Sequence, residues 1–179
     1  MVLEIGSVAI YYDTRTISPP PSRRRVAHAI QATAARRLLA ELTARTPGLD
    51  PDKGVISSIS HSRGIVVAAI TDDARIGIDV EYMCPRRNTP AMLESFFGTT
   101  AEPVSLQGFY RAWTFGEAYF KAFGSLPGKE TLADVIERQA GDGTYRLRHR
   151  ENGAVGVLHS EVTGEFALPL VWGTELSQP

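Results

Sequence analysis

Two carboxylates stand two positions apart in the segment IGIDVE, Ile76 to Glu81. Successive side chains of a strand point to opposite faces, so Asp79 and Glu81 share one face and repel each other unless a cation lies between them. A hard divalent cation such as Mg²⁺ would relieve this repulsion, because its ligands are carboxylate, water and phosphate oxygens. The segment therefore suggests a magnesium site. A solvent-facing acidic pair at a strand end is the alternative that it leaves open.

A second pair of charges, Glu117 and Lys121, lies one helical turn apart in the segment RAWTFGEAYFKAFG. The aromatic and small apolar residues around the pair predict a helix that is buried on more than one side. An exposed i,i+4 salt bridge, the simpler interpretation, contributes only about 0.3 to 0.5 kcal/mol, which hardly explains two charges among aromatic rings. We therefore expect Glu117 to act with the two carboxylates of the strand, and Lys121 to meet a phosphate oxygen beside the metal.

The segment SISHSRG, Ser58 to Gly64, places hydroxyls on both sides of His61 between two β segments. A Ser-His pair suggests a hydrolase, but the sequence has no G-x-S-x-G turn and no evident acid to orient the imidazole. Hydroxyls, backbone amides and an imidazole in one loop are suited to holding a phosphate. The segment indicates a phosphate site, with a hydrogen-bonded turn histidine as the alternative.

Helices and short strands must position these residues. The sequence predicts a first strand over residues 1–13 and a helix from Arg23 to about Arg45, in which Val26, Ile30, Ala34, Leu38 and Leu42 recur at four-residue spacing. Three short segments rich in β-branched residues, at 55–60, 64–70 and 75–82, predict a meander. Helices over 88–98 and 104–124 follow, and then strands over 132–139, 144–150, 154–162 and 166–172. Each half thus holds a long helix with a small sheet, which predicts an α+β protein of two related lobes.

Composition narrows the class of protein. The 179 residues are 43% hydrophobic and 22% charged, as in ordinary globular proteins, and the single cysteine, Cys84, excludes an internal disulfide and a thiolate zinc cluster within one chain. No apolar run is long enough to span a bilayer and no signal peptide is evident, so we expect a cytoplasmic protein. A net charge of -1 argues against nucleic acid as a partner. The first 45 residues nevertheless hold seven arginines against three acids, which either face a polyanionic ligand or form a solvated helix start.

In order, the segments ISHS, IGIDVE and WTFGEAYFKAFG resemble the 4'-phosphopantetheinyl transferases of the larger, single-chain pseudo-dimeric class. In that family an S-H-S segment precedes a G-[IV]-D-x-E strand, and a helix bearing W-[ST]-x-K-E-[AS]-x-x-K follows. The resemblance is carried by Ser60, His61, Ser62, Gly77, Asp79, Glu81, Trp113, Thr114, Glu117, Ala118 and Lys121, which span about the middle third of the chain.

The resemblance implies two similar lobes, 1–82 and 83–179, each a small mainly antiparallel sheet with a long helix, packed intimately in a monomer. Coenzyme A and Mg²⁺ would bind between them. The implied reaction transfers 4'-phosphopantetheine from coenzyme A to a serine of an acyl or peptidyl carrier protein, as in fatty acid, polyketide or nonribosomal peptide biosynthesis. The carrier would be an acidic helical protein that meets an arginine-rich rim.

The resemblance also assigns roles to residues. It implies that Asp79, Glu81 and Glu117 hold the metal, and it makes Glu117 a candidate general base, directly or through a metal-bound water. Lys121 would neutralise the pyrophosphate. The ribose phosphate of coenzyme A would lie against Ser60 and His61, and the candidate cations for it on the first long helix are Arg23, Arg25, Arg36 and Arg37.

This sequence departs from the family pattern in three places. Gly116 stands where the family has lysine, Ser58 stands where an asparagine is common, and the G-[KR]-P segment is not recognisable in PGLDPDKGVIS, where Lys53 is a substitute. These departures motivate a second hypothesis, a degenerate member that binds coenzyme A or a carrier protein without turnover. A third hypothesis, a metal-dependent phosphohydrolase, would use the same acidic residues but leave the S-H-S segment unexplained.

Overall fold

A computed structural model describes residues 2–5, 8–17, 24–49, 54–72, 75–98, 105–128, 144–148, 155–163 and 166–174. In chain order the elements are β1 (Val2–Ile5), β2 (Val8–Thr16), α1 (Arg24–Arg45), β3 (Ile56–Ser62), β4 (Ile65–Thr71), β5 (Arg75–Ile78), β6 (Glu81–Tyr82), α2 (Thr89–Phe97), α3 (Leu106–Phe123), β7 (Thr144–Arg148), β8 (Val155–Thr163) and β9 (Phe166–Thr174). Within these ranges no helix is both long and apolar enough to cross a membrane.

The strands form two antiparallel sheets. The first has the order β1-β2-β4-β3, and the second has the order β5-β9-β8-β7 with β6 also paired to β9. Helix α1 packs on the first sheet, chiefly on β4 and β3, while α3 packs on β9 and β5 of the second. The α+β class with small antiparallel sheets is therefore confirmed. The relation of the two halves as similar lobes stays a prediction.

Two predicted strands differ from those of the structure, and a third lies outside the described residues. The single strand over 1–13 is wrong, because β1 and β2 pair antiparallel with Ile5 opposite Val8. The meander is correct for β3 and β4, but the third strand, predicted over 75–82, is divided into β5 and β6 by Asp79 and Val80, and both parts pair with β9 of the second sheet. The predicted strand over 132–139 lies outside the described residues. The other predicted strands and helices are present as β7, β8, β9, α2 and α3.

Helix α1 turns a different face to its sheet than the four-residue spacing suggested. Its buried row is Ala27, Gln31, Ala35, Leu38 and Leu42, and the last three of these pack against Val66, Ala68 and Ile70 of β4. Val26 and Ile30 remain 45% and 43% exposed. A strict repeat of four drifts around a helix that has 3.6 residues per turn, so one such row cannot stay on a single face from Val26 to Leu42.

Gln31, the polar member of the buried row of α1, fixes the β3–β4 hairpin. Its side-chain oxygen accepts a hydrogen bond from Gly64 N at 2.9 Å, and its amide nitrogen donates to Ala27 O at 3.2 Å. Arg63 and Gly64 have φ values of 39° and 91°, the left-handed conformations that a two-residue hairpin of matching twist requires. The hairpin therefore holds β3, which carries the S-H-S segment, in a defined position beside α1.

Helix α3 is buried on more than one side, as predicted. Its fully or nearly buried side chains are Phe109, Tyr110, Ala112, Trp113, Phe115, Ala118 and Tyr119. Ser105 caps the start by accepting a hydrogen bond from Gly108 N, and Gly124, at φ 75°, ends the helix in the left-handed conformation. The backbone of α3 also lies directly against β5 at Gly77, where a Cβ atom would stand 1.8 Å from Ala118 O. Helix and strand approach this closely only because residue 77 has no side chain.

Candidate active site

Strand β3 meets the segment 78–82 at the boundary between the two sheets, and side chains make the link. Ser58, Ser60 and Ser62 alternate along β3 and therefore point to one face. Ser58 Oγ accepts a hydrogen bond from Ile78 N at 3.0 Å, Ser60 Oγ from Val80 N at 3.3 Å, and Ser62 Oγ from Tyr82 N at 3.0 Å. This serine row replaces a backbone ladder between β3 and the β5–β6 segment, so that the two sheets are joined through hydroxyl groups.

Asp79 lies at the centre of this junction and is only 5% exposed. Its Oδ1 atom accepts two hydrogen bonds, from Ser60 Oγ at 2.7 Å and from Lys121 Nζ at 2.9 Å. Its Oδ2 atom is buried and has no hydrogen-bond partner among the residues that the structure describes. A buried carboxylate oxygen without a partner is costly, so this atom is the natural point of attachment for a cation or a donor group of a ligand.

Lys121 reaches the same junction from α3. Its ammonium group donates to Asp79 Oδ1 and to Ile78 O, both at 2.9 Å, and more distantly to Ile59 O at 3.5 Å. The described ion pairs join Lys121 to Asp79 and not to Glu117, so the helical i,i+4 salt bridge is not what this lysine forms. The ammonium ties α3 to carbonyl groups of both β3 and β5. The expectation that it meets a phosphate stays a prediction.

Glu81 shares the serine face with Asp79. Ser62 Oγ donates to Glu81 Oε2 at 3.2 Å, and Arg87 Nη2 lies 3.5 Å from the same oxygen. Burial raises the pKa of the Glu81 carboxyl above its usual value and the negative charge of Asp79 raises it further, while Arg87 and the Ser62 hydrogen bond oppose the shift. The two carboxylates that sequence spacing placed on one face are therefore electrostatic neighbours.

Glu117 on α3 is half-buried and belongs to the same electrostatic group. Burial raises the pKa of its carboxyl, the charge of Asp79 raises it further, and Lys121 lowers it. Glu117 also contributes to the raised pKa of Glu81. The three carboxylates therefore influence one another electrostatically, and their joint action on one metal stays a prediction.

The described residues do not form a preassembled metal cage. No group of three or more His, Cys, Asp or Glu side chains is arranged there to hold an ion. The chemistry of the donors nevertheless suits Mg²⁺, which commonly takes one or two protein carboxylates and completes its octahedron with water and substrate phosphates. Among the described residues, the unpartnered Asp79 Oδ2 is the feature that fits such an ion directly.

His61 follows Ser60 on β3 and, being the next residue, points to the opposite face of the strand. Its ring contacts that of His28 on α1 edge to face, with the centroids 4.8 Å apart. Burial lowers the pKa of His61 and its electrostatic interactions with His28 and Lys121 lower it further, while Asp79 opposes the shift. A neutral imidazole beside a second one has an N–H to donate, and binding a phosphate dianion would favour its protonation.

Of the candidate arginines on α1, only some lie near this histidine pair. Arg25 is exposed and lies three residues before His28, hence on the same side of the helix. Arg36 is also exposed but lies about 12 Å further along the helix axis than His28. Arg37 forms an ion pair with Glu41, and Arg23 lies outside the described residues. An open groove of about 630 Å³ on α1 is lined by Arg25, Val26, Ala29, Ile30, Thr33, Ala34 and Arg37.

Sequence reasoning missed several residues that shape this region. The alternation of serines along β3 was visible as period two, but their partners lie twenty residues away and no spacing rule identifies them. Arg87 and His28 gave no signal in isolation. Tyr110 was not singled out either, yet its hydroxyl accepts a hydrogen bond from Cys84 N at 2.8 Å and so anchors the chain that follows β6.

Comparison with known proteins gives one partial match. The chain is 30% identical over 81 residues to the 4'-phosphopantetheinyl transferase HetI of Nostoc sp. strain PCC 7120. The match covers 41% of this chain and 34% of that protein, so the chain covers about a third of the length of this relative. No family model matches the chain. The likeness supports kinship at the level of the phosphopantetheinyl transferase superfamily and suggests transferase activity.

Proposed function

We propose that this protein transfers 4'-phosphopantetheine from coenzyme A to a serine of an acyl or peptidyl carrier protein, with Mg²⁺ as the required metal. The single observation that carries the proposal is Asp79, a buried carboxylate with one saturated and one unpartnered oxygen, surrounded by Glu81, Glu117 and Lys121. A group-transfer reaction between phosphate esters depends on such a concentration of charge, because its catalysis is mainly positioning and electrostatic stabilisation.

The metal would be held by Asp79, Glu81 and Glu117. A bound Mg²⁺ would neutralise the negative charge that develops on the phosphate oxygens during transfer. The support for this assignment is the all-oxygen donor set and the unpartnered Asp79 Oδ2. Lys121 contributes in two ways: its positive charge lies beside the same carboxylates, and its hydrogen bonds fix Asp79 against the β3 and β5 carbonyl groups.

The phosphate of the coenzyme A ribose would bind at the histidine pair. His61 offers an N–H group, His28 lies in ring contact with it, and Arg25 lies one turn from His28 on α1. This placement favours Arg25 over Arg36 as the phosphate-binding arginine of α1. The apolar groove beside Arg25 offers a surface for the less polar parts of the same molecule.

Glu117 is the proposed general base. The serine hydroxyl of the carrier attacks the β-phosphorus of coenzyme A, its proton passes to the Glu117 carboxylate, and the bond from that phosphorus to the departing adenosine 3',5'-bisphosphate breaks. Burial and the charge of Asp79 raise the pKa of the Glu117 carboxyl and Lys121 lowers it; the net rise makes Glu117 a stronger base than an exposed glutamate. The carrier itself is proposed to be an acidic helical protein that is attracted by the arginines of α1. This chain is proposed to act as a monomer in the cytoplasm.

Gly116 favours a second candidate function. It is buried inside α3, at the position where the family pattern has a lysine, so one cation of that pattern is missing from the helix that carries Glu117. A binding module that holds coenzyme A or a carrier protein without turnover would tolerate this loss. The retained carboxylates and Lys121 favour the active enzyme, because simple binding does not require them.

The test is intact-mass spectrometry of several apo carrier proteins incubated with coenzyme A, Mg²⁺ and this protein. We expect a mass gain of one phosphopantetheine arm with the native protein and none with Asp79→Ala or Glu117→Ala. Glu94→Ala, which removes an exposed carboxylate from α2, is the matched control and should leave the gain unchanged. Binding of coenzyme A without any mass gain would favour the binding module, and the absence of both would refute the family assignment.

A further inference from the structure

Ser60 makes a set of hydrogen bonds that its expected role does not require. Its hydroxyl oxygen accepts from Val80 N at 3.3 Å, and its hydroxyl proton is donated to Asp79 Oδ1 at 2.7 Å. Ser60 is itself buried. A hydroxyl has a single proton to donate, so a serine that binds Asp79 in this way has no donor left for a phosphate.

The rest of the serine row shows which part of this arrangement is special. Ser58 accepts from Ile78 N in the same manner but has no carboxylate partner among the residues that the structure describes. Ser62 repeats the full arrangement, because it accepts from Tyr82 N and donates to Glu81 Oε2. The two serines that flank His61 are thus each attached to one carboxylate, while the third serves only the strand junction.

The consequence for Asp79 is an asymmetry between its two oxygens. Ser60 and Lys121 both donate to Oδ1, which leaves Oδ2 buried and bare. A carboxylate held by hydrogen bonds on one oxygen cannot rotate freely, so the identity of its free oxygen is fixed before any ligand arrives. Hydrogen bonds of this type to metal-binding carboxylates orient the ligand and are worth about 10- to 100-fold in metal affinity.

We propose that Ser60 is a positioning residue that holds Asp79 by Oδ1 and presents Oδ2 to a divalent cation, and that Ser60 is not a ligand of the coenzyme A phosphate. The proposal rests on the proposed function for the presence of the cation. The S-H-S segment then has two roles. The serines orient the carboxylates on one face of β3, and His61 is the residue of the segment that binds the phosphate on the other face.

The test measures Mn²⁺ binding to the full chain by electron paramagnetic resonance, with no coenzyme A or carrier present. Mn²⁺ takes the same oxygen ligands as Mg²⁺ and reports its free concentration directly. We expect Ser60→Ala to weaken Mn²⁺ affinity by about 10- to 100-fold. Ser60→Thr, which keeps the hydroxyl, should restore affinity, and Ser58→Ala, which removes a hydroxyl from the same row, should leave it within about threefold of the native value. Circular dichroism establishes that each variant is folded.

Coenzyme A affinity, measured by calorimetry without metal, separates the two roles for Ser60. A positioning role predicts no change in Ser60→Ala, whereas lost coenzyme A affinity with native Mn²⁺ affinity would show a phosphate ligand and overturn the inference. Native protein that binds no Mn²⁺ would overturn it as well. If Ser60→Ala does not fold, Ser60→Cys, whose thiol is a weak donor of similar size, should weaken Mn²⁺ binding in the same direction.

The transferase assay keeps this inference distinct from the proposed function. Transfer by the native protein together with unchanged Mn²⁺ affinity in Ser60→Ala refutes the positioning role and leaves the transferase standing. Weakened Mn²⁺ affinity in Ser60→Ala, with no transfer by the native protein, supports the positioning role and refutes the transferase.

Discussion

Replacing Gly77 by alanine tests the contact that holds α3 against β5. The added Cβ atom would lie 1.8 Å from Ala118 O, 2.8 Å from the carbonyl carbon of the same residue and 3.0 Å from Ala122 N. All three are backbone atoms of a helix, so no side-chain rotation can relieve the overlap. The helix must instead move away from the strand.

The size of the effect follows from the overlap. Ordinary contact begins near 3.4 Å, so α3 must retreat by about 1.6 Å at this point. Overpacking of this kind typically costs about 1 to 3 kcal/mol, and we expect the upper part of that range because the obstacle is rigid backbone. The displacement also carries Glu117 and Lys121, which flank Ala118 on α3. A misplacement of about 1 Å can lower catalytic rates by about 100-fold, so the rate of the proposed transfer should fall by about that factor.

The assay is chemical denaturation of Gly77→Ala beside the native protein, combined with initial rates of carrier modification. Gly128→Ala is the matched control, because a Cβ at Gly128 meets no atom within 4 Å and its backbone is not in the left-handed region. Its free energy of unfolding should stay within about 0.5 kcal/mol of the native value. Native-like stability and rate in Gly77→Ala would show that β5 and α3 are not in backbone contact, and the site geometry derived from that contact would be wrong.

Three further predictions concern charge. Coenzyme A affinity should rise as pH falls through the pKa of His61, because a bound phosphate favours the protonated imidazole. Measured by calorimetry, the affinity of the native protein should increase by up to about tenfold per pH unit more than the affinity of His61→Gln. Lys121→Met should lower the free energy of unfolding by about 1 to 3 kcal/mol, which is less than the loss of a fully buried ion pair costs, because the Lys121 side chain is 29% exposed. In a double-mutant cycle followed by denaturation, adding Asp79→Asn should recover part of that loss. The hydrogen bond from Arg15, followed by that from Arg37, lowers the pKa of Glu41 to about 2, so the contribution of Glu41 to stability is complete above pH 4.5 or so and is lost as pH falls towards 2. In Glu41→Gln the midpoint of urea denaturation should therefore depend less on pH over that interval. A pH dependence equal to that of the native protein would contradict the ion pair.

Local pattern determined much of this protein. Alternation placed Asp79 and Glu81 on one face of a strand, and both carboxylates do accept hydrogen bonds from one row of serines. The aromatic density of residues 111–124 predicted a helix buried on several sides, which α3 is. These features depend on contacts within a few residues of each other, where helical and strand periods leave few alternatives.

Only the tertiary structure decided how these segments meet. Nothing in the sequence assigned β5 to the second sheet, because its partner β9 lies more than ninety residues further along the chain. For the same reason the sequence suggested only a phosphate oxygen, or Glu117 four residues away, as the partner of Lys121, whereas the fold pairs Lys121 with Asp79, forty-two residues away. Ser60 looked free to bind a ligand until the fold placed a carboxylate beside it. A side chain's partner is fixed by which surfaces the core brings together, and that choice is made by the whole chain.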